Sequence, residues 1–204
     1  MSDVVSVVTK NKDKDEDGRI IKIYDNFLDH NDRDNLENGL FNETFPWYYN
    51  KHTVYPGNKY FKNDEKNLYD NDQFTHGFTV GNKVNSDYAN LALMVWTNFC
   101  NKVGNNHYQV LRMKANLVFS NNKMSNNSYS IPHIDLDEEH QTLIYYVNHC
   151  DGDLFLFSKD DSDNVKKRIE TKRGRLVWFK EPILHAAGHP NLFDKRCSVV
   201  INFK

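Results

Sequence analysis

The feature that most restricts the fold is a series of five short segments in the second half of the chain, all rich in β-branched and aromatic residues. Between residues 107 and 203 they are HYQVLRMKANLVFS, TLIYYVN, GDLFLF, RLVWF and RCSVVINF. Asn, Asp and Gly residues, which favour turns, separate them. Because short strands with short connections usually pair in antiparallel order, the sequence predicts a mainly β domain built as a sandwich or jelly roll.

Two helices and one long connection are predicted before these strands. Asp29 or His30 is placed to cap a short helix, and Ser86 to cap a longer one. The longer helix has apolar residues at three- to four-residue spacing, which gives it one face for a sheet to cover. Residues 51–78 form a long, aromatic-rich connection that we expect to be either a lid over a site or an ordinary surface loop.

Composition narrows the class of protein without naming a partner. The formal charge of −2 gives no bulk argument for binding nucleic acid or an anionic membrane. The three cysteines form no CxxC pair, which argues against a disulfide framework or a zinc site and fits a reducing interior. With neither a signal-peptide pattern nor an apolar run of membrane-spanning length, a cytoplasmic protein is expected. Abundant Asn and Lys with little Ala suggest an AT-rich coding genome, viral or parasitic.

A metal site is indicated by the stretch SIPHIDLD. His133 and Asp135 lie two residues apart at the start of a predicted strand, where alternate side chains project from the same face. A third ligand is available in EPILHAAGHP, as either His185 or His189. Two histidines and a carboxylate on one face leave coordination positions open, as in non-haem Fe(II) oxygenases.

The last predicted strand indicates an anion site. Arg196 and Ser198 lie two residues apart, so a guanidinium and a hydroxyl face the same way and together suit a carboxylate. An inward-facing arginine in an apolar strand is costly unless an anion meets it, although pairing with Asp194 or Glu181 is the alternative. Arg196 follows His185 by eleven residues, which suits one turn between adjacent strands and favours that histidine over the one beside Pro190.

In this order the motifs resemble those of the Fe(II)- and 2-oxoglutarate-dependent dioxygenases, and within that superfamily the prolyl-hydroxylase-like branch. The resemblance extends from about Arg112 to the C-terminus and includes H-x-D, TLIYYVN, GDLFLF, GRLVWF before the third ligand, and Arg-Cys-Ser. It implies a double-stranded β-helix with flanking helices. The expected division is one oxygenase domain, with a flexible N-terminus over 1–18, a strand, helices and long loop over 19–106, and the β-helix core with the metal site over 107–204.

The resemblance also implies the site residues and cofactors. Fe(II) would be bound by His133, Asp135 and His185, and 2-oxoglutarate by Arg196, Ser198, Tyr146 and Thr142. Molecular oxygen would be the cosubstrate and ascorbate a candidate reductant. Where the branch usually has a tyrosine before H-x-D, the match here is Phe119, so Tyr129 or Asn116 is expected to supply the missing hydrogen bond.

The implied activity is hydroxylation of an unidentified substrate. On the resemblance alone we favour a protein or peptide side chain, with a prolyl residue as one candidate. The basic run KKRIETKRGR, residues 166–175, leaves open an oxidative demethylase of nucleic acid, although such runs are more often solvated hairpins. A catalytically silent jelly-roll module that keeps its metal ligands is the other alternative.

Overall fold

The computed structural model describes residues 14, 17–54, 72–81, 83–120, 127–158 and 161–204. The helices are α1 (His30–Leu40) and α2 (Ala89–Val103), and the strands are β1 (Ile21–Tyr24), β2 (Tyr48–Asn50), β3 (Gln73–Val80), β4 (Lys83–Val84), β5 (Val110–Phe119), β6 (Gln141–Tyr146), β7 (Leu154–Ser158), β8 (Asp161–Ile169), β9 (Leu176–Phe179), β10 (His185–Ala187) and β11 (Lys195–Phe203). No helix in these ranges is both long and apolar enough to cross a membrane.

The strands form two antiparallel sheets. The major sheet has the order β1-β9-β6-β11-β5-β3-β2, with β4 paired to β3, and the minor sheet has the order β10-β7-β8. Isolated bridges from Tyr129 to Gly188 and from His133 to His185 place the segment before β6 alongside β10. The predicted mainly β fold with flanking helices is therefore confirmed. The major sheet includes strands from both the 19–106 and the 107–204 segments.

The major sheet is buried on both faces, and strand alternation decides which residues go where. On β11, Cys197, Val199 and Ile201 pack in the core beneath the helices, whereas Val200 packs in a second core between the two sheets. Strands β6 and β9 divide their side chains in the same way. Burial on both faces explains why these segments have continuous apolar sequences instead of an alternating pattern.

The helix ends match the prediction in one case of two. Asp29 caps α1, since its carboxylate accepts a hydrogen bond from the Asp32 amide at 2.8 Å. Ser86 does not cap α2, because the N-cap residue is Tyr88, whose amide donates to the Ser86 hydroxyl at 3.0 Å. At its other end α2 stops at Gly104, which has a φ of +68° that glycine adopts without steric cost.

The expected long connection is partly a strand. Residues 73–78 belong to β3, which pairs with both β5 and β2, so this end of the predicted lid over 51–78 is wrong. The alternating sequence QFTHGFTV carries the signal for a strand that faces two different environments. Residues 55–71 lie outside the described residues, so the lid itself stays a prediction.

The basic run at 166–175 does not form a free cationic surface along its whole length. Its first part belongs to β8, at the edge of the minor sheet. The arginines that follow form ion pairs with acids near α1: Arg173 with Asp34 and Glu37, and Arg175 with Asp25. These pairs weaken the argument that the run follows a phosphate backbone.

The core beneath α2 should dominate stability. Phe99 is fully buried, and its ring centroid lies 4.9 Å from that of Trp178 and 5.5 Å from that of Phe203. We expect Phe99→Ala to lower the free energy of unfolding by about 3–5 kcal/mol, measured by urea denaturation. Tyr48→Ala, at a site 62% exposed, is the control and should cost about 0.5 kcal/mol or less. Similar losses in both variants would contradict this view of the core.

Candidate active site

The structure brings the three predicted metal ligands together. Reciprocal backbone hydrogen bonds of 2.9 and 3.0 Å join His133 to His185, and they hold the two ring centroids 4.7 Å apart. Asp135 follows two residues after the first histidine, and its Oδ2 lies 3.9 Å from His185 Nε2. The three ligand atoms all lie within 4.8 Å of one another. His189, the alternative third ligand, is buried further along the chain and does not belong to this group.

Both imidazoles are oriented to present Nε2 to an ion. Nδ1 of His133 lies 3.0 Å from the Ile131 carbonyl, and Nδ1 of His185 lies 2.8 Å from the Ile183 carbonyl. Because a carbonyl only accepts, each Nδ1 carries the proton and leaves a lone pair on Nε2. Burial lowers the pKa of His133 to about 4 and also lowers the pKa of His185, so both rings are neutral at pH 7.

Asp135 is held by a cross-strand network. Arg112 Nη2 donates to its Oδ1 at 3.0 Å, and Asn202 Nδ2 donates to its Oδ2 at 3.1 Å. Arg112 also donates to the side-chain oxygen of Asn202 at 2.8 Å, which fixes the orientation of that amide. Although burial acts to raise the pKa of Asp135, the positive charge of surrounding groups, including Lys114 and Arg112, holds it well below its usual value. The carboxylate is therefore charged and fixed in direction.

Thr142 belongs to this network and not to the cosubstrate end of the site. Its hydroxyl accepts a hydrogen bond from Asn202 Nδ2 at 3.0 Å and lies 3.5 Å from Asp135 Oδ2. It does not line the cavity described below. The expectation that this threonine contacts 2-oxoglutarate stays a prediction, and its strand position places it level with Asn202 at the metal end.

One cavity connects the three-ligand group with the predicted anion site. The space within its walls and mouth is about 510 Å³, including the part open to solvent. Besides the three ligands, its polar wall consists of Thr53, Gln73, Lys114, Asn116, Arg196 and Ser198. Its apolar wall consists of Val118, Ile144, Leu154, Ala187 and Val200.

The far end of the cavity has the features of an anion site. Arg196 is 4% exposed, donates through Nε to the Gly152 carbonyl at 3.0 Å, and lies 5.2 Å from the ring centroid of Tyr146. Within the described part of the chain it forms no ion pair, so the alternative pairing with Asp194 or Glu181 is not seen. Buried atoms beside it, Asn116 Oδ1 and Ser198 Oγ, also lack hydrogen-bond partners. A bound carboxylate would accept hydrogen bonds from the Ser198 hydroxyl and from the guanidinium, which has no ion-pair partner.

Phe119, which stands where the tyrosine is expected, and the two candidates for its hydrogen bond, Tyr129 and Asn116, lie in different places. Phe119 is on the helix-facing side of β5, is 49% exposed and contacts the Phe74 ring, so it cannot reach the cavity. The Tyr129 ring packs against Phe155 and Phe157 in a separate cluster of the minor sheet. Asn116 lines the cavity, and it pairs in register with Ser198 on β11.

Sequence reasoning missed several residues of the site. Arg112 and Asn202, which hold the Asp135 carboxylate, come from the strands β5 and β11, and Lys114 also lines the cavity. Alternation within LRMKANLVF places the charged side chains of β5 and Asn116 on one face, which was the available signal. Gln73 was missed because its strand was taken for a loop.

Comparison by sequence finds no matching family model and no similar protein among curated ones. By structure the chain is similar to a prolyl hydroxylase from Trichoplax adhaerens, solved in complex with a hypoxia-inducible-factor peptide, with a TM-score of 0.61, 14% identity, and coverage of 95% of this chain and 84% of that one. It is also similar to a 2OG-Fe(II) oxygenase-family oxidoreductase from Burkholderia pseudomallei, with a TM-score of 0.61, 12% identity, and coverage of 93% and 86%. A viral collagen prolyl hydroxylase from Paramecium bursaria Chlorella virus-1 matches with a TM-score of 0.52, 15% identity, and coverage of 92% and 91%.

These neighbours confirm the predicted resemblance at the level of the fold. The chain has the double-stranded β-helix of the 2OG-Fe(II) oxygenases, with helices packed on the major sheet. At such identities the likeness shows the fold alone, so any statement about activity depends on the residues of the site.

The Asp135 network predicts that substitutions of Arg112 and Asp135 have non-additive effects on the free energy of unfolding. Arg112→Met leaves a buried carboxylate without its ion pair, so we expect the free energy of unfolding at pH 7, without added metal, to fall by about 3 kcal/mol. Adding Asp135→Asn removes the unpaired charge and should restore most of that loss. Urea denaturation of the two single variants and the double variant gives the coupling. Losses that simply add would show that the pair contributes nothing.

Proposed function

We propose that this chain is an Fe(II)- and 2-oxoglutarate-dependent dioxygenase that hydroxylates a side chain of a protein or peptide. The observation that carries the proposal is a single buried cavity with two neutral imidazoles and a carboxylate at one end and an unpaired arginine at the other. The first set suits a divalent transition metal, and the second suits a carboxylate. A dicarboxylate that also chelates a metal would fit both ends.

His133, Asp135 and His185 would hold Fe(II). Their donor set, two imidazole nitrogens and one carboxylate, leaves coordination positions open for other ligands. The hydrogen bonds from each Nδ1 and to each carboxylate oxygen fix the ligands before an ion arrives, as the outer partners of metal ligands commonly do. These residues therefore fit the metal that the fold implies.

Arg196 and Ser198 would bind the distal carboxylate of 2-oxoglutarate, with Asn116 and Tyr146 beside them. The side chains of Ile144 and Val200 would line the middle of the site, where they pack on the methylene groups and exclude water. When bound, Fe(II) and 2-oxoglutarate supply the chemistry that activates molecular oxygen for hydroxylation of a C–H bond, with succinate and carbon dioxide as co-products. The contribution of the chain is to orient the reactants and keep the site dry.

A peptide substrate is favoured over nucleic acid. The Trichoplax neighbour was solved with a peptide fragment, and its likeness covers nearly the whole chain. In the basic run that favoured nucleic acid, Arg173 and Arg175 pair with acids near α1, and Arg168 pairs with Asp153. A prolyl residue remains the candidate target suggested by the prolyl hydroxylases among the neighbours. Fe(II)-dependent conversion of 2-oxoglutarate to succinate would separate an oxygenase from a silent metal-binding module.

The choice of third ligand can be tested directly. His185→Ala should weaken Mn(II) binding, measured by calorimetry under anaerobic conditions, by at least tenfold and should abolish succinate formation, because one of three protein ligands is lost. His189→Ala is the matched control four residues away and should retain both properties. If the control loses metal binding and His185→Ala keeps it, the assignment of the ligand is wrong.

The cosubstrate anchor gives a second test. Loss of one partner of a buried charge-assisted pair costs about 2–5 kcal/mol, so Arg196→Ala should raise the 2-oxoglutarate requirement well over tenfold. Mn(II) affinity should stay nearly unchanged, because the arginine lies at the far end of the cavity. Arg196→Lys should also weaken 2-oxoglutarate binding, since an ammonium cannot donate two parallel hydrogen bonds to a carboxylate as a guanidinium does. Ser198→Ala should reduce the binding free energy of 2-oxoglutarate by about 1 kcal/mol. An unchanged requirement in Arg196→Ala would remove this residue from the site.

A further inference from the structure

Lys114 is a cationic side chain in the cavity that the proposed cofactors leave without a partner. It lies on β5 between Arg112 and Asn116, whose side chains project from the same face of the strand, and it lines the cavity together with Asn116. Within the described part of the chain it forms neither a hydrogen bond nor an ion pair. Arg112, by contrast, is engaged with both Asp135 and Asn202. A half-buried lysine without an ion pair is available to an anion from outside the chain.

The charge balance of the cavity supports the same conclusion. Three cationic side chains, Arg112, Lys114 and Arg196, face one carboxylate, Asp135, while the two ligand histidines are neutral. A divalent ion and the doubly negative 2-oxoglutarate would cancel each other. The occupied cavity would therefore keep an excess of positive charge, which a further negative group would neutralise.

Lys114 is poorly placed to share the distal carboxylate with Arg196. Four residues separate it from Val118, the residue paired with Arg196 on β11, which corresponds to about 13 Å at about 3.3 Å per residue. It lies instead toward the metal end, two residues from Arg112, which pairs in register with Asn202 and binds Asp135. On its other side is β3, where Gly77 pairs in register with Lys114, whereas Gln73 lies next to Phe74, which pairs with Leu117. A Cβ at Gly77 would meet open space, so the wall beside Lys114 is not closed on the β3 side by the described residues.

We propose that Lys114 binds a carboxylate of the primary substrate, carried on the oxidised residue or on its immediate neighbour in the chain. The proposal rests on the proposed oxygenase function and specifies the substrate class of that site. A single lysine in the wall of the cavity can meet one compact anion. A nucleic-acid backbone would need a cationic track outside the cavity, which neither the net charge of −2 nor the paired arginines near α1 provide.

Matched acid and amide probes test this proposal without turnover. One peptide library carries Asp or Glu at a fixed position and a second carries Asn or Gln there, and N-acetylaspartate with N-acetylasparagine forms a small-molecule pair. Each is dialysed to equilibrium against protein loaded with Ni(II) and 2-oxoglutarate, and retention is measured by mass spectrometry. The wild-type protein should retain acids at least tenfold better than amides. Retention of the peptides alone, or of the free amino-acid derivatives as well, identifies the source of the carboxylate.

Two variants connect the preference with the lysine. Lys114→Met keeps the length of the side chain and suits a buried site, so it should fold while losing the tenfold preference for acids. Lys114→Arg restores the charge and should recover most of the preference. The 2-oxoglutarate dissociation constant should change less than threefold in Lys114→Met, because Arg196 holds the distal carboxylate.

Several results would overturn the assignment. The first is equal retention of acids and amides by the wild-type protein, and the second is an unchanged preference for acids in Lys114→Met. The third is a tenfold loss of 2-oxoglutarate affinity in that variant without loss of the preference for acids. The fourth is Lys114-dependent retention of a methylated oligonucleotide. Binding of 2-oxoglutarate to the Ni(II)-loaded wild-type protein is measured first, and its absence would reject the oxygenase proposal instead. In that case the library comparison is repeated with protein free of metal and 2-oxoglutarate. Equal retention of acids and amides by this protein would reject the role of Lys114.

Discussion

The major sheet is buried on both faces, and the strict alternation of side chains along its strands determines most of what the protein can do. On β5, Met113, Ala115 and Leu117 face the helices, so Lys114 and Asn116 must face the cavity. A one-residue slip in register would exchange the two sets and place charges in the apolar core. The hydrophobic core and the site are thus specified by the same pairing of strands, and neither forms without the other.

The polar groups of the cavity show how such a site can exist inside a buried sheet. Asp135 is satisfied by Arg112 and Asn202 from two neighbouring strands, so its charge is paired within the metal end itself. Arg196 and Ser198, at the other end, have no comparable partner from the chain. The polar network is complete at the metal end, whereas polar groups at the arginine end lack partners from the chain. Unsatisfied buried groups of this kind indicate that a ligand binds at the arginine end.

The sequence predicts the fold well, because continuous apolar strands, turn residues and one amphipathic helix each leave a local signal. It also indicates His133 and Asp135, which the structure places beside His185 but outside the named strands, and the pair formed by Arg196 and Ser198, which lines the same cavity. It fails where a role depends on pairing between distant strands. Nothing local shows that Thr142 lies beside Asp135 instead of the cosubstrate end.

The same limit explains the other errors. Phe119 and Asn116 lie three residues apart on one strand and therefore on opposite faces, a difference that only the register with β11 reveals. Strand β3 was taken for a loop because its neighbours in sequence are rich in turn-forming residues, and its pairing with β5 supplies the missing context. The ion pairs of Arg173 and Arg175 with acids near α1 are likewise invisible before the chain is folded.

The central claim is that one ligand spans the metal end and the arginine end of a single cavity. Anaerobic calorimetry of 2-oxoglutarate binding, with Mn(II)-loaded and with metal-free protein, tests it most directly. If the ligand chelates the ion while its distal carboxylate meets Arg196, affinity should be at least tenfold higher in the loaded protein. By reciprocity, 2-oxoglutarate should raise the affinity for Mn(II) by the same factor. Equal 2-oxoglutarate affinity with and without the ion, or no binding in either form, would contradict the account.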